Sequence, residues 1–247
     1  MPKQGEIDYV KNIGAEGARH ALDKPFSDPG CARYLVELGV LMNALPPPPA
    51  KLLDLGCGSG WTSVFFARRG YDVTGQDIAS DMIELARENA ARHRLDNLRF
   101  VVSDYEEMAF DGEFDCAVFY DSLHHSVDEK SAIRAAYRAL KPGGVLMTIE
   151  PGAGHSRSPD AIAAMKKYNV TERDMPPRLI IQAGKAAGFR SHRTMPNPWL
   201  LHVLSFGNAK FPRLSRLLEW KALRALALAT SMFYRPSRIG SPVLLTK

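Results

Sequence analysis

The stretch LLDLGCGSGW, residues 52–61, sets Gly56, Gly58 and Gly60 directly behind a short apolar run that carries Asp54. The apolar run reads as a buried strand, and helical spacing of apolar residues resumes at WTSVFFARRG. Glycine behind a strand lets the chain turn sharply, and it lets a ligand approach the main chain without meeting a Cβ. The segment therefore predicts a strand, a backbone-exposing turn and a helix.

The same alternation continues along the chain. YDVTGQD (71–77), LRFVVSD (98–104), FDCAVFYD (114–121) and VLMTIE (145–150) read as further strands. Between them, MIELARENAARH and KSAIRAAYRAL have helical spacing. SVDE (126–129) has the form of a capping box for the second of these helices, and KPGG reads as a turn. TERDMPPRLIIQAGKAAGF (171–189) reads as the last large helix, RSHRTMP as a sixth strand and SPVLLTK (241–247) as a seventh. Upstream, CARYLVELGVLMNAL (31–45) has helical spacing and stops at PPPP. Strands alternating with helices imply crossover units and a parallel sheet, whose ligands sit beyond the carboxyl ends of the strands. Gly56–Gly60, Asp77, Asp104, Asp121–His125 and Glu150–His155 all fall at such ends.

Two ligand types suit the glycine turn: a dinucleotide, or another adenosine-bearing cofactor. A dinucleotide site asks for G-x-G-x-x-G, whereas the spacing here is G-x-G-x-G with an acid two residues ahead. No G-K-[ST] follows, which argues against a triphosphate cradle. DLGCGSG (54–60), the acid ending VTGQD, the acid ending VVSD, FDCAVFYDSLHH and ALKPGGVLMTIEPG resemble, in that order, the motifs of the class I S-adenosylmethionine-dependent methyltransferases. The resemblance covers about residues 50–190. It implies an α/β, Rossmann-like fold with a seven-stranded, mostly parallel sheet, helices on both faces and a helical insertion before the last strand. It also implies S-adenosyl-L-methionine as cofactor.

On that resemblance the cofactor-binding residues are Asp54, Gly56, Cys57, Gly58, Gly60, Asp77, Ile78, Asp104, Tyr105 and Tyr120. Asp77 at a strand end suits two ribose hydroxyls, because an ionised carboxylate is a bidentate acceptor. Ile78 is expected against the adenine face, Asp104 at its amino group with Tyr105 nearby, and Asp54 as the acid that orients the turn. Methyl transfer from a sulfonium relies on positioning, and a base is needed only where the accepting atom carries a proton. The candidate bases are His124, His125, Glu150 and His155. No metal is expected, because metal-using relatives add an Asp-Asn pair after strand five and EPGAGH supplies none.

The basic C-terminal quarter departs most from the family pattern. Residues 190–247 hold ten Lys/Arg against Glu219 alone, whereas the other 189 residues hold 22 basic and 26 acidic groups. Leu214, Leu218, Ala222, Ala225, Ala229 and Met232 have one-face helical spacing, with Arg213, Arg216, Lys221 and Arg224 opposite. The expected organisation is an N-terminal helical cap (1–49), a core (50–197 and 241–247) and a basic amphipathic insertion (198–240). That insertion reads as a lid, a substrate element or a membrane-surface element. Faint similarity of EPGAGHS and VTERDMPP to methyltransferases encoded near glycan-assembly enzymes names a saccharide among small or lipid-linked acceptors. A hydroxyl or similar nucleophile is the expected methyl acceptor, and no nucleic acid is expected. The alternatives are a nicotinamide-dependent oxidoreductase and a module that binds the cofactor without catalysis. A polar start, MPKQGEIDYV, and three scattered cysteines (Cys31, Cys57, Cys116) suggest a cytoplasmic protein, with peripheral contact at the inner membrane surface as an alternative.

Overall fold

In the computed structural model, which describes residues 3–209, 212–233 and 240–247, seven strands form one sheet in the order β3-β2-β1-β4-β5-β7-β6. The strands are β1 (Lys51–Leu55), β2 (Asp72–Asp77), β3 (Leu98–Val102), β4 (Phe114–Tyr120), β5 (Leu140–Ile149), β6 (Ser191–Thr194) and β7 (Val243–Thr246). The first five run parallel, and β7 runs antiparallel to both β5 and β6. The sheet order steps outward on both sides of β1, so the crevice beside the carboxyl ends of β1 and β4 is the place for a ligand.

Helices precede, cross and follow the sheet. They are α1 (Gln4–Ile7), α2 (Tyr9–Leu22), α3 (Cys31–Ala44), α4 (Trp61–Arg69), α5 (Ser80–Arg92), α6 (Glu129–Ala139), α7 (Pro159–Tyr168), α8 (Pro177–Ala187), α9 (Pro198–Phe206), α10 (Pro212–Leu217) and α11 (Lys221–Phe233). Successive side chains of a strand point to opposite faces. Leu53, Leu55, Ala117 and Phe119 accordingly pack in one cluster with Ile133, Ala136 and Ile180 of α6 and α8. Leu52, Cys116 and Val118 pack in another with Leu38, Leu41 and Phe66 of α3 and α4. Both faces of the sheet are covered, which explains the near-continuous apolar runs of its central strands.

Four local expectations are corrected. The capping box does not form: Asp128 caps α6 through Lys130 N–H and Ser131 Oγ–H, while Glu129 pairs with Arg173. KPGG is drawn into β5, which breaks register against β4 between Phe114 and Cys116. The helix expected from 171 begins at Pro177, because Pro176 and Pro177 hold the preceding residues extended. The expected continuous helix of the insertion breaks at 218–220 between α10 and α11. Leu218 is buried, but Ala222, Ala225 and Ala229 are exposed, and the side chain of Met232 lies outside the described residues. No helix among the described residues is long and apolar enough to cross a membrane.

Candidate functional site

The glycine loop is tied down before any ligand arrives. Gly56 and Cys57 both donate their N–H to the carbonyl of Gln76 at 2.8 and 2.9 Å, fixing the turn to the end of β2. Beneath it, Asp54 accepts from Thr62 Oγ1 at 2.7 Å and Ser63 Oγ at 2.6 Å, joining β1 to the first turn of α4. Burial pushes the Asp54 carboxyl up to about 6. Gly58 and Gly60 both sit at positive φ, +53° and +71°. Their surroundings differ. A Cβ on Gly60 would come within 2.8 Å of Phe100, whereas a Cβ on Gly58 meets no atom of the described residues within 4 Å. Gly60 is bare so that the core can close; Gly58 is bare toward open space.

That space is a cavity of about 680 Å³ at the strand ends. Gly56, Cys57, Gly58, Asp77, Ile78, Tyr105 and Tyr120 of the expected cofactor set line it. Asp77 accepts the N–H of Gly58 and of Ala79, each at 2.9 Å, one on each carboxylate oxygen. Each oxygen keeps a lone pair for a vicinal diol. Burial pushes the Asp77 carboxyl upward, opposed by those two N–H groups. A bare main chain at Gly58, a double acceptor at Asp77 and the apolar Ile78 and Met82 together fit an adenosyl group. Asp54, Gly60 and Asp104 stand outside the lining. Asp104 instead pairs with Lys3 and accepts the N–H of Glu106.

The candidate bases converge, in unequal positions. Glu150 is buried and accepts the N–H of Ser122, Leu123 and His124 at 3.1, 2.8 and 3.2 Å, pinning the turn Leu123–His125. Its Oε2 also faces His124 Nδ1 at 2.8 Å. On the other side of that ring, Glu172 Oε2 lies 3.4 Å from His124 Nε2 and 2.6 Å from His155 Nε2. Burial opposes the charged form of His124, but Glu150 and Glu172 outweigh it and carry the pKa up to about 10. Glu172, where burial is outweighed by the His124 hydrogen bond and the other imidazoles, falls to about 2. His124 thus lies buried between two carboxylates; it touches Glu172 and His125 of the main cavity's lining without lining the cavity itself. His125 does line the cavity, as does Glu172. The Nδ1 of His125 sits 2.6 Å from the carbonyl oxygen of Thr171, which can only accept, so Nε2 carries the lone pair.

Glu172 was not legible as a site residue in the sequence; its signal is an acid in the non-helical, proline-bounded stretch TERDMPP. The N-terminal helices supply the opposite wall. Glu6, Tyr9, Glu16 and His20 line the cavity, and Glu6 accepts the N–H of Thr171 at 2.7 Å. Asp121, at φ +53°, lines both this cavity and a second one of about 220 Å³, which Arg33, Glu37, Asn197 and Trp199 complete. The two cavities share Tyr120 and Asp121, so the start of the 198–240 segment reaches the edge of the site.

Residues 52–144 match the family model described as a methyltransferase domain. The chain is 36% identical over 96 residues to the ubiquinone biosynthesis O-methyltransferase of Erwinia tasmaniensis, covering 38% of this chain and 39% of that one. It is 32% identical over 130 residues to an S-adenosyl-L-methionine-dependent Diels-Alderase of Talaromyces variabilis, covering 51% and 43%. The chain thus spans less than half the length of these curated relatives. Among solved structures, the geranyl diphosphate C-methyltransferase of Streptomyces coelicolor, in complex with Mg2+, geranyl diphosphate and S-adenosyl-L-homocysteine, shares the fold at a TM-score of 0.62. Identity there is 16%, and the match covers all of this chain and 98% of the other. The relatives named carry different activities: an O-methyltransferase, a Diels-Alderase and a C-methyltransferase.

Proposed function

The chain belongs to the class I S-adenosylmethionine-dependent methyltransferase family, and from that premise we propose that it methylates a hydroxyl, or a similar nucleophile, of a small or lipid-linked acceptor. The observation that carries the proposal is the cavity that runs from Gly58 and Asp77 to a polar wall of His125 and Glu172. The cofactor, when bound, supplies an electrophilic methyl carbon. The chain's own work is to hold the acceptor in line with it and to exclude water. His125 and Glu172 meet the acceptor's nucleophile. His124 and Glu150 are positioning residues: they hold the turn that carries His125. His155, which is not part of the cavity lining, fixes Glu172.

The second cavity supports the acceptor class. Trp199, stacked on His202 at 5.3 Å, offers a flat apolar face, and Asn197, Glu37, Arg33 and Asp121 offer hydrogen-bonding groups around it. A flat face ringed by such groups suits a saccharide. Lipid linkage draws support from the insertion, where Phe206, Leu217, Trp220 and Leu226 are 81%, 56%, 72% and 62% exposed beside the exposed Arg213, Arg216 and Lys221. Apolar side chains among basic ones suit peripheral contact with an anionic membrane surface. The free thiols of Cys31, Cys57 and Cys116 support a cytoplasmic location.

A thermal-shift comparison tests the reading: S-adenosylhomocysteine raises the melting temperature and NAD(P) does not. Mass spectrometry of a lysate incubated with the protein and S-adenosylmethionine then shows products heavier by one CH2. A shift with NAD(P) alone overturns the reading in favour of an oxidoreductase.

A further inference from the structure

Two imidazoles and a carboxylate meet at the acceptor end of the main cavity in an arrangement that methyl-group positioning does not require. His124, His125 and Glu172 each bring one metal-ligating atom to within 4.8 Å of the other two. His124 Nε2 and Glu172 Oε2 are already 3.4 Å apart. That is close to the roughly 3.3 Å edge of a tetrahedron built on bonds of about 2.0 Å.

The outer nitrogen of each ring is held by an acceptor: Nδ1 of His124 by Glu150 at 2.8 Å, and Nδ1 of His125 by the Thr171 carbonyl at 2.6 Å. A carboxylate behind one ring and a main-chain carbonyl behind the other hold each Nδ1 proton, so Nε2 is the atom that meets a cation, which on His124 displaces the Nε2 proton to solvent. Metal-bound histidines are oriented in this way. Glu150 is itself held by three main-chain N–H groups, so the support behind His124 is rigid.

We infer that His124 Nε2, His125 Nε2 and Glu172 bind a divalent cation of the zinc class, with a further coordination position open to the cavity. Two histidines and one glutamate with an open position is a ligand set of catalytic zinc, and imidazole nitrogen selects against magnesium and calcium. His125 and Glu172 line the cavity while His124 is buried behind them, so the open position faces the acceptor. His155, 2.6 Å from Glu172, orients that carboxylate.

The role of the ion toward an acceptor oxygen rests on the methyl-transfer reading; the binding of the ion does not. Full-length protein stripped with a chelator is titrated calorimetrically with Zn2+, and separately with Co2+ while the visible spectrum is recorded. S-adenosylhomocysteine is titrated into the same preparation. One saturable Zn2+ site per chain and an intense visible Co2+ band of low coordination number are expected. Glu172→Gln and His125→Gln each weaken Zn2+ binding by about tenfold or more. His125 is half-exposed, so its variant decides the matter if Glu172→Gln does not fold. No saturable Zn2+ binding by protein that still binds S-adenosylhomocysteine overturns the site, as does equal affinity in the variants. Zn2+ binding without S-adenosylhomocysteine binding sustains the site and overturns the functional reading instead.

Discussion

Alanine at Gly58 and alanine at Gly60 should fail in different ways. Both glycines lie at positive φ, so alanine costs about 1–2 kcal/mol at either position. At Gly60 the new methyl also comes within 2.8 Å of Phe100 and 3.0 Å of Ala86. That overpacking adds about 1–3 kcal/mol, and at about 2–4 °C per kcal/mol the melting temperature drops by roughly 4–20 °C. At Gly58 the methyl meets no atom of the described residues within 4 Å, so the loss stays near 2–8 °C by the same conversion. The Gly58 methyl instead enters the main cavity, where the cofactor is proposed to bind. A clash there of about 1–3 kcal/mol weakens S-adenosylhomocysteine by roughly 5- to 150-fold. Scanning calorimetry and isothermal titration at a temperature where both variants are folded separate the two effects. Wild-type affinity in Gly58→Ala would refute the reasoning, since the main chain at Gly58 would then not be the cofactor's neighbour.

Three further outcomes follow from the same geometry. Burial raises Asp54 from 3.8 to about 6, so the folded protein holds a proton that the unfolded chain releases. That contribution is complete below pH 3.8 and is lost as pH rises to about 6, a change of about 3 kcal/mol. Denaturation of wild type and Asp54→Asn across that range measures it, and a pH-independent difference between the two contradicts it. Glu150→Ala strands three buried N–H groups, each worth about 1–3 kcal/mol, so urea unfolding should show a loss of at least about 3 kcal/mol. A loss under about 1 kcal/mol would mean that the turn Leu123–His125 does not depend on Glu150. Finally, the protein should sediment with phosphatidylserine vesicles in a salt-sensitive manner, and Trp220→Ser combined with Leu226→Ser should release it; equal sedimentation of wild type and variant removes the membrane reading.

What the sequence disclosed follows from which constraints are local. β1, β4 and the second half of β5 are legible because strands covered on both faces are largely apolar along their length, and the glycine turn is legible because its backbone demands are written in adjacent residues. The start of α8 departs from the sequence pattern because apolar spacing counts for little against two consecutive prolines. The insertion departs from its pattern for a related reason. A spacing that runs through 218–220 describes a face only if the helix is continuous there, and α10 and α11 are separate. In the site, His124, His125, Glu150 and His155 stood out one at a time, by residue type and position after a strand. Their division of labour was invisible, because it arises from contacts between distant segments. Glu150 is consumed by the turn 28 residues before it, and Glu172 meets His155 across 17 residues of chain. Asp104 shows the converse: its position after β3 is local, while the Lys3 that pairs with it comes from 101 residues away.

The central claim is that an adenosyl cofactor rests on the bare main chain of Gly58 with its ribose held by Asp77. Isothermal titration of S-adenosylhomocysteine into wild type and Asp77→Ala tests this most directly. The expected result is saturable binding at one site per chain in the wild type and at least a tenfold loss in the variant, the equivalent of about 1.4 kcal/mol. Absence of heat in the wild type, or equal affinity in the two proteins, would contradict it.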